Sequence, residues 1–276
     1  MQNQTDTTHT DSTGKTHFGK TFLALFALGF IGVLTLIPTV IDQLELLPPE
    51  LAALPAPAAV ALSLVNVVIL LALPVAIGTL VAHRVGLRSL VAEKVRRGKP
   101  IWPELRPHIP MAFVAGIIFL IVVAGLDALV DPFADAEHVI ETAAEANLFL
   151  QLLLGVFYGG IVEELMLRWG VMSLLVWIGW RLFQRGQGRP RPALVWTAIV
   201  LAALLFGIGH LPALASMVAL TPLLVIRTIA LNALGGLVFG WLFWRYNLEV
   251  AMVAHASFHV GLFILNGVLT LAGVIG

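Results

Sequence analysis

Ionisable residues inside three separated hydrophobic stretches carry the chemistry open to this chain. They are Glu163-Glu164-Leu165-Met166-Leu167-Arg168, Phe206-Gly207-Ile208-Gly209-His210 and His255-Ala256-Ser257-Phe258-His259. A charged side chain at a bilayer centre costs about 2.5–3.5 kcal/mol on insertion scales, so such residues mark function. On a helix, Glu164 and Arg168 are i and i+4 with the acid nearer the N-terminus, the favourable order for an ion pair. Arg168 thereby supports the ionised form of Glu164. Glu163 lies about 100° further round, on the face of Gly159 and Gly160, where another helix can approach. One acid is paired and the other is left to take a proton from water.

His255 and His259 are also i and i+4, so both imidazoles leave one helix face. The spacing is that of H-E-x-x-H, without its internal Glu. Two chemistries fit. With Glu163 as base or ligand and His210 as a third nitrogen, His210, His255, His259 and Glu163 resemble a catalytic zinc site with an open position for water. Without a metal, the histidines hydrogen-bond a water and a developing oxyanion. The spacing leaves both open.

The elements that must position these groups are helices in lipid. The 276 residues are 59% hydrophobic and only 12% charged, with a mean hydropathy of +0.96, whereas soluble domains carry about 25% charged residues. The fold class expected is all-α, a polytopic transmembrane helix bundle with about seven (six to eight) membrane helices. Formal net charge is zero, so no nucleic-acid partner is implied, and the absence of cysteine excludes disulfides, thiolate metal sites and cysteine nucleophiles.

Residues 1–17 are polar and read as a disordered tail. Residues 18–146 hold N-terminal transmembrane helices and a basic loop, and 147–276 hold the polar patches. Apolar runs cover 21–41, 56–82, 111–130, 147–183, 193–210, 222–244 and 250–275. The fourth exceeds one ordinary crossing, so it is tilted, bent or projecting. Leu211 to Thr221 is short and bounded by prolines, and reads as a re-entrant or interfacial piece. Arg84, Arg88, Lys94, Arg96, Arg97, Lys99 and Arg106 cluster in one connection, while Asp42–Pro55 and Asp131–Ala146 carry acids and no Lys or Arg. Positive-inside puts that cluster, the N-terminus and the Arg181–Arg191 turn in the cytosol, as a topogenic signal that can also lie on an anionic membrane surface.

Depth does not close on sequence alone. His255 lies about 15 Å of helix after the Tyr246-Asn247 turn, while Glu163 and His210 lie about 35 Å above theirs. Either the first hairpin projects or the second turn is recessed. Outside the patches, Arg227 and Asn232 read as interhelical hydrogen-bonders or snorkelling groups, Asp127 as an outer-end cap, and His83, His108 and His138 as interfacial.

Glu-Glu-x-x-x-Arg, Phe-x-x-x-His and a terminal His-x-x-x-polar pair, in this order on successive hydrophobic segments, resemble the CAAX-processing and bacteriocin-processing (CPBP, Abi) intramembrane protease family. That family includes type II CAAX prenyl endopeptidases and lysostaphin-resistance-like proteins, and the resemblance covers about residues 147–265. It implies hydrolysis of a peptide bond in a membrane-associated protein or peptide, by water that Glu163 activates with His210. Glu164 and Arg168 would support the site, and His255 with His259 would polarise the scissile carbonyl. The prenyl endopeptidases carry Asn at the last position, so His259 departs from them and keeps a divalent metal, zinc, under consideration. The expected setting is the bacterial plasma (inner) membrane, with the N-terminus cytosolic and the oligomeric state undefined. The other readings are a non-catalytic scaffold or bacteriocin-immunity protein of the same fold, and a proton-coupled transporter using the acids and histidines as a relay.

Overall fold

Apolar runs of this length have no water to satisfy their backbone groups, and intrahelical hydrogen bonds are the local solution. A computed structural model describes residues 10–44, 54–130 and 147–273, and among these there is no strand. The helices are α1 (Thr10–Leu34), α2 (Ile37–Asp42), α3 (Ala56–Val81), α4 (Leu90–Arg97), α5 (Trp102–Leu105), α6 (Ile109–Val130), α7 (Leu148–Gln184), α8 (Pro192–Gly209), α9 (Leu211–Ala215), α10 (Pro222–Arg245) and α11 (Leu248–Leu271). Seven helical stretches among the described residues are long and apolar enough to cross a membrane, as the sequence predicts. Leu62, Ile69, Leu70 and Leu73 leave one side of α3 exposed and apolar, as a lipid-facing helix requires.

The centre of the bundle is α7, which packs on α1, α3, α8 and α11, while α8 pairs with α10 and α6 lies along α11. Its middle, Leu154–Met172, is wound with i→i+5 hydrogen bonds and carries both acids and Arg168. Such wide turns are rare and concentrate at functional sites. They also advance less per residue than the 1.5 Å of an α-helix, which shortens the climb to Glu163.

The basic connection packs against the start of α11. Ser89 caps α4, its hydroxyl accepting from the Ala92 N–H at 3.2 Å. Buried Glu249, in the first turn of α11, accepts from the Ser89 hydroxyl (2.7 Å), the Leu90 N–H (2.8 Å) and the Val91 N–H (3.0 Å). The Leu248 N–H donates to the Arg88 carbonyl at 3.0 Å. The Tyr246-Asn247 turn is therefore covered by the start of α4, and Arg189 of the α7–α8 turn reaches the same basic connection.

Several details differ from the sequence reading. Helix α1 begins at Thr10, so the polar stretch read as a tail is helical from there, because adding turns to an established helix costs far less than nucleating one. Asp127 does not cap α6; it forms an ion pair with Arg227 across to α10, with Arg227 Nε donating to Asp127 Oδ1 at 2.9 Å. Asn232 donates within its own helix, to the Thr228 carbonyl at 2.9 Å. Residues 1–9 and the acidic connection 131–146, with His138, lie outside the described residues.

Candidate active site

Glycines let α11 come close enough to α7 for the histidines to reach the acids. A methyl group at Gly159 would stand 2.7 Å from His259 Nε2, and one at Gly160 would stand 3.0 Å from the Ala256 Cβ. Gly155 is likewise filled by the His259 ring. The opposite wall comes from α8, which ends at His210. There the Pro212 nitrogen cannot extend the backbone ladder, and the chain turns into α9.

The adjacent acids have different surroundings. Glu164 is fully buried and accepts a hydrogen bond from His255 Nδ1 at 2.9 Å. Arg168 Nη1 stands 3.1 Å from the same Glu164 oxygen, at ion-pair distance but out of hydrogen-bond alignment. The Arg168 guanidinium lies over the Phe206 ring at 4.7 Å and the Phe239 ring at 5.5 Å, so cation–π contact offsets part of its desolvation. Glu163 keeps 17% of its side chain exposed and lines a cavity of about 450 Å³. Its Oε1 is 3.7 Å from His210 Nε2 and its Oε2 is 3.8 Å from His255 Nε2. These gaps exceed a direct hydrogen bond.

Both imidazoles are oriented from behind. His210 Nδ1 is 2.8 Å from the Phe206 carbonyl oxygen, which only accepts, so Nδ1 carries the proton. His255 Nδ1 donates to Glu164 in the same way. Each Nε2 therefore faces Glu163. The His255 ring stacks with Phe239 (4.5 Å, 18°) and with His259 (5.2 Å, 24°). His259 makes no hydrogen bond among the described residues; it stacks on His255 and fills the space left by Gly155 and Gly159.

The structure thus brings Glu163, Glu164, Arg168, His210 and His255 together around one cavity and sets His259 beside them. Sequence reading pairs Glu164 with Arg168 but has no signal for its bond to His255. It also misses Phe239, which touches both the imidazole and the guanidinium, since aromatic residues at helical spacing ordinarily read as packing. Tyr158, Asn232 and Arg227 add polar groups to the cavity wall, and Phe119, Val123, Leu154, Leu231, Phe258 and Leu262 make most of it apolar.

Among the described residues, no group of three or more His, Asp or Glu side chains converges closely enough to hold a metal ion. Glu163, His210, His255 and His259 do not form a ready zinc ligand set in this arrangement.

Residues 145–261 match the family model described as type II CAAX prenyl endopeptidase Rce1-like. Searches of curated proteins and of solved structures returned no significant match. The matched segment holds all six candidate residues and ends just past His259. With seven apolar helices among the described residues, this is an integral membrane protein, and its residues 145–261 are similar to the Rce1-like type II CAAX prenyl endopeptidases.

Proposed function

We propose that the protein is an intramembrane endopeptidase in which Glu163 activates water to hydrolyse a peptide bond of a membrane-associated protein or peptide. The observation that carries this is the setting of Glu163: a partly exposed carboxylate in an apolar cavity, flanked by two imidazole Nε2 atoms whose rings are fixed from behind. The 3.7 Å gap to His210 suits a water that donates one hydrogen to Glu163 and the other to His210 Nε2. Glu163 takes the proton as the water oxygen bonds to the scissile carbonyl carbon.

The negative charge on the carbonyl oxygen is met by His255, which Glu164 orients through Nδ1. His259, stacked beside it, is the second donor. Arg168 lies at ion-pair distance from Glu164 and supports the carboxylate that orients His255. Collapse of the intermediate breaks the C–N bond, and the proton held by Glu163 passes to the leaving amine nitrogen. The apolar wall excludes bulk water and accepts apolar residues beside the scissile bond.

Zinc is the alternative activator, and it would require Glu163 and the histidines to draw closer together. Metal content of protein purified without a histidine tag, followed by chelator treatment, separates the two. The bacterial plasma membrane and a cytosolic N-terminus remain the proposed setting. Because the chain has no cysteine, single cysteines placed in the basic connection can be labelled from either side to test it.

The central test is Glu163→Gln, which keeps size and polarity but removes the base. Comparative membrane proteomics should show an uncleaved precursor in cells carrying the variant, at normal membrane levels of the protein. Unchanged processing and biological activity would refute the protease reading in favour of a scaffold, and proton-dependent flux in liposomes would favour a transporter.

A further inference from the structure

A second cavity, of about 590 Å³, lies away from the Glu163 site, between the basic connection, the α7–α8 turn and α7. Five of its lining residues are Arg88, Arg96, Arg97, Lys99 and Arg189, against one acid, Glu93. Glu93 is already engaged by Arg88 at 2.6 Å and by Lys99 at 3.5 Å. Arg96, Arg97 and Arg189 have no carboxylate partner among the described residues, although they come from two separate parts of the chain.

An independent observation comes from the buried side of the cavity. Trp169 is 3% exposed and lines it, and its indole N–H, which can only donate, has no acceptor. A buried donor without a partner costs about 1–3 kcal/mol, so its position beside three uncompensated guanidiniums calls for an acceptor with several oxygens. Arg96 also lines an adjoining cavity of about 290 Å³, where the buried Thr21 hydroxyl is likewise unpartnered.

We propose that this cavity binds a phosphate-bearing anion, either the headgroup of an anionic phospholipid or a soluble phosphate. Arg96, Arg97 and Arg189 take its oxygens and the Trp169 N–H donates from beneath. Planar guanidiniums match phosphate oxygens in paired hydrogen bonds, and a cluster of them beside a membrane span is the usual chemistry for anionic headgroups. The site is separate from Glu163, so its test does not depend on the protease reading.

The experiment uses the purified full-length protein in detergent. Native mass spectrometry with phosphatidylglycerol and with phosphatidylcholine measures lipid retention, and thermal stabilisation by inorganic phosphate measures the soluble anion. Phosphatidylglycerol should be retained over phosphatidylcholine, with about fivefold weaker binding for each of Arg96→Gln and Arg189→Gln. Trp169→Phe should weaken it less, and Arg181→Gln, an equal charge change outside the cavity, should leave it intact. Phosphate stabilisation lost in the double arginine variant, without a lipid preference, supports the site and assigns it to a soluble anion. Equal retention of the two lipids with no phosphate effect overturns the proposal, as does an Arg181→Gln effect matching that of the double variant. If the double variant does not purify as a single species, Trp169→Phe decides: unaltered anion binding there removes the Trp169 N–H and the proposal with it.

Discussion

His255 Nδ1 donates to Glu164 Oε1 at 2.9 Å, joining residues 91 positions apart on α11 and α7. Glu164 thereby acts on the histidine as well as on Arg168, and fixes which His255 nitrogen faces the cavity. Glu164→Gln keeps the volume but replaces the carboxylate that accepts from His255 Nδ1. The expected result is a loss of peptidase activity of about a hundredfold or more, in the range general acid–base groups contribute. His255→Ala should cost a similar factor, and the double variant little more than either single change, because the two act as one unit. Rates on a processed membrane substrate, measured for the three variants at equal membrane levels, check this. Multiplying losses in the double variant would show that the residues act independently.

The legible part of the site is what lies along one helix. Glu164 with Arg168, and His255 with His259, are i, i+4 pairs, and helical periodicity exposes them directly. The seven apolar stretches were equally readable, because lipid leaves the backbone little choice. What sequence does not carry is which faces meet. Glu164 to His255, Phe239 beneath His255, and Asp127 to Arg227 all depend on interhelical register, which glycines permit but do not specify. Glu249 is instructive in another way. An acid in the first turn after Asn247 reads as ordinary helix-end chemistry, yet its carboxylate serves the N-terminus of α4, more than 150 residues earlier in the chain.

One end of the α6–α10 seam is closed by Asp127 and Arg227, and its middle by Phe119, which a methyl group at Gly235 would meet at 2.8 Å and which packs edge-on against Phe239 at 5.7 Å. The pairing runs antiparallel, and the cavity lies behind it, lined by both Phe119 and Arg227. The ion pair is half-buried, so one missing partner matters more than at a surface. Asp127→Asn should lower stability by about 1–2 kcal/mol, in the range for hydrogen bonds to charged groups. Exchanging the charges, Asp127→Arg with Arg227→Asp, should recover part of that. Thermal unfolding in detergent provides the comparison; an exchange variant no better than either single change would show that the pair contributes nothing specific.

Glu249 fastens the basic connection to the start of α11. Its carboxylate accepts two backbone N–H groups and the Ser89 hydroxyl, and it meets the positive end of the α4 dipole. Glu249→Ala removes all three acceptor contacts and leaves those donors buried. Trypsin at neutral pH should then cut after Lys94, Arg96 or Arg97 markedly faster, while the apolar helices stay intact. Ser89→Ala, which removes one contact and the α4 cap, should fall between wild type and Glu249→Ala. Cleavage at wild-type rates in both variants would mean that the connection is held by its salt bridges instead.

Those salt bridges give the connection a pH dependence of known sign. Glu93 accepts from Arg88 at 2.6 Å and 3.0 Å, and the Arg88 guanidinium holds the Glu93 carboxyl below the usual carboxylate range. The same bond raises the affinity of Arg88 for its proton, so Arg88 stays charged throughout. A carboxyl depressed in the folded state contributes stability that is fully present above its unfolded value, about 4.3, and is lost as pH falls through the folded value. The pair should therefore be constant from neutral pH down to about 5 and weaken only at more acid pH. Since Arg88 is 43% exposed and solvent screens the interaction, the change should be at most about 1 kcal/mol. Melting temperatures of wild type and Glu93→Gln, taken from pH 7 to pH 3.5, should differ at the upper end and converge at the lower. A gap that widened on acidification would have the opposite sign and would exclude a stabilising role for the Glu93 carboxylate.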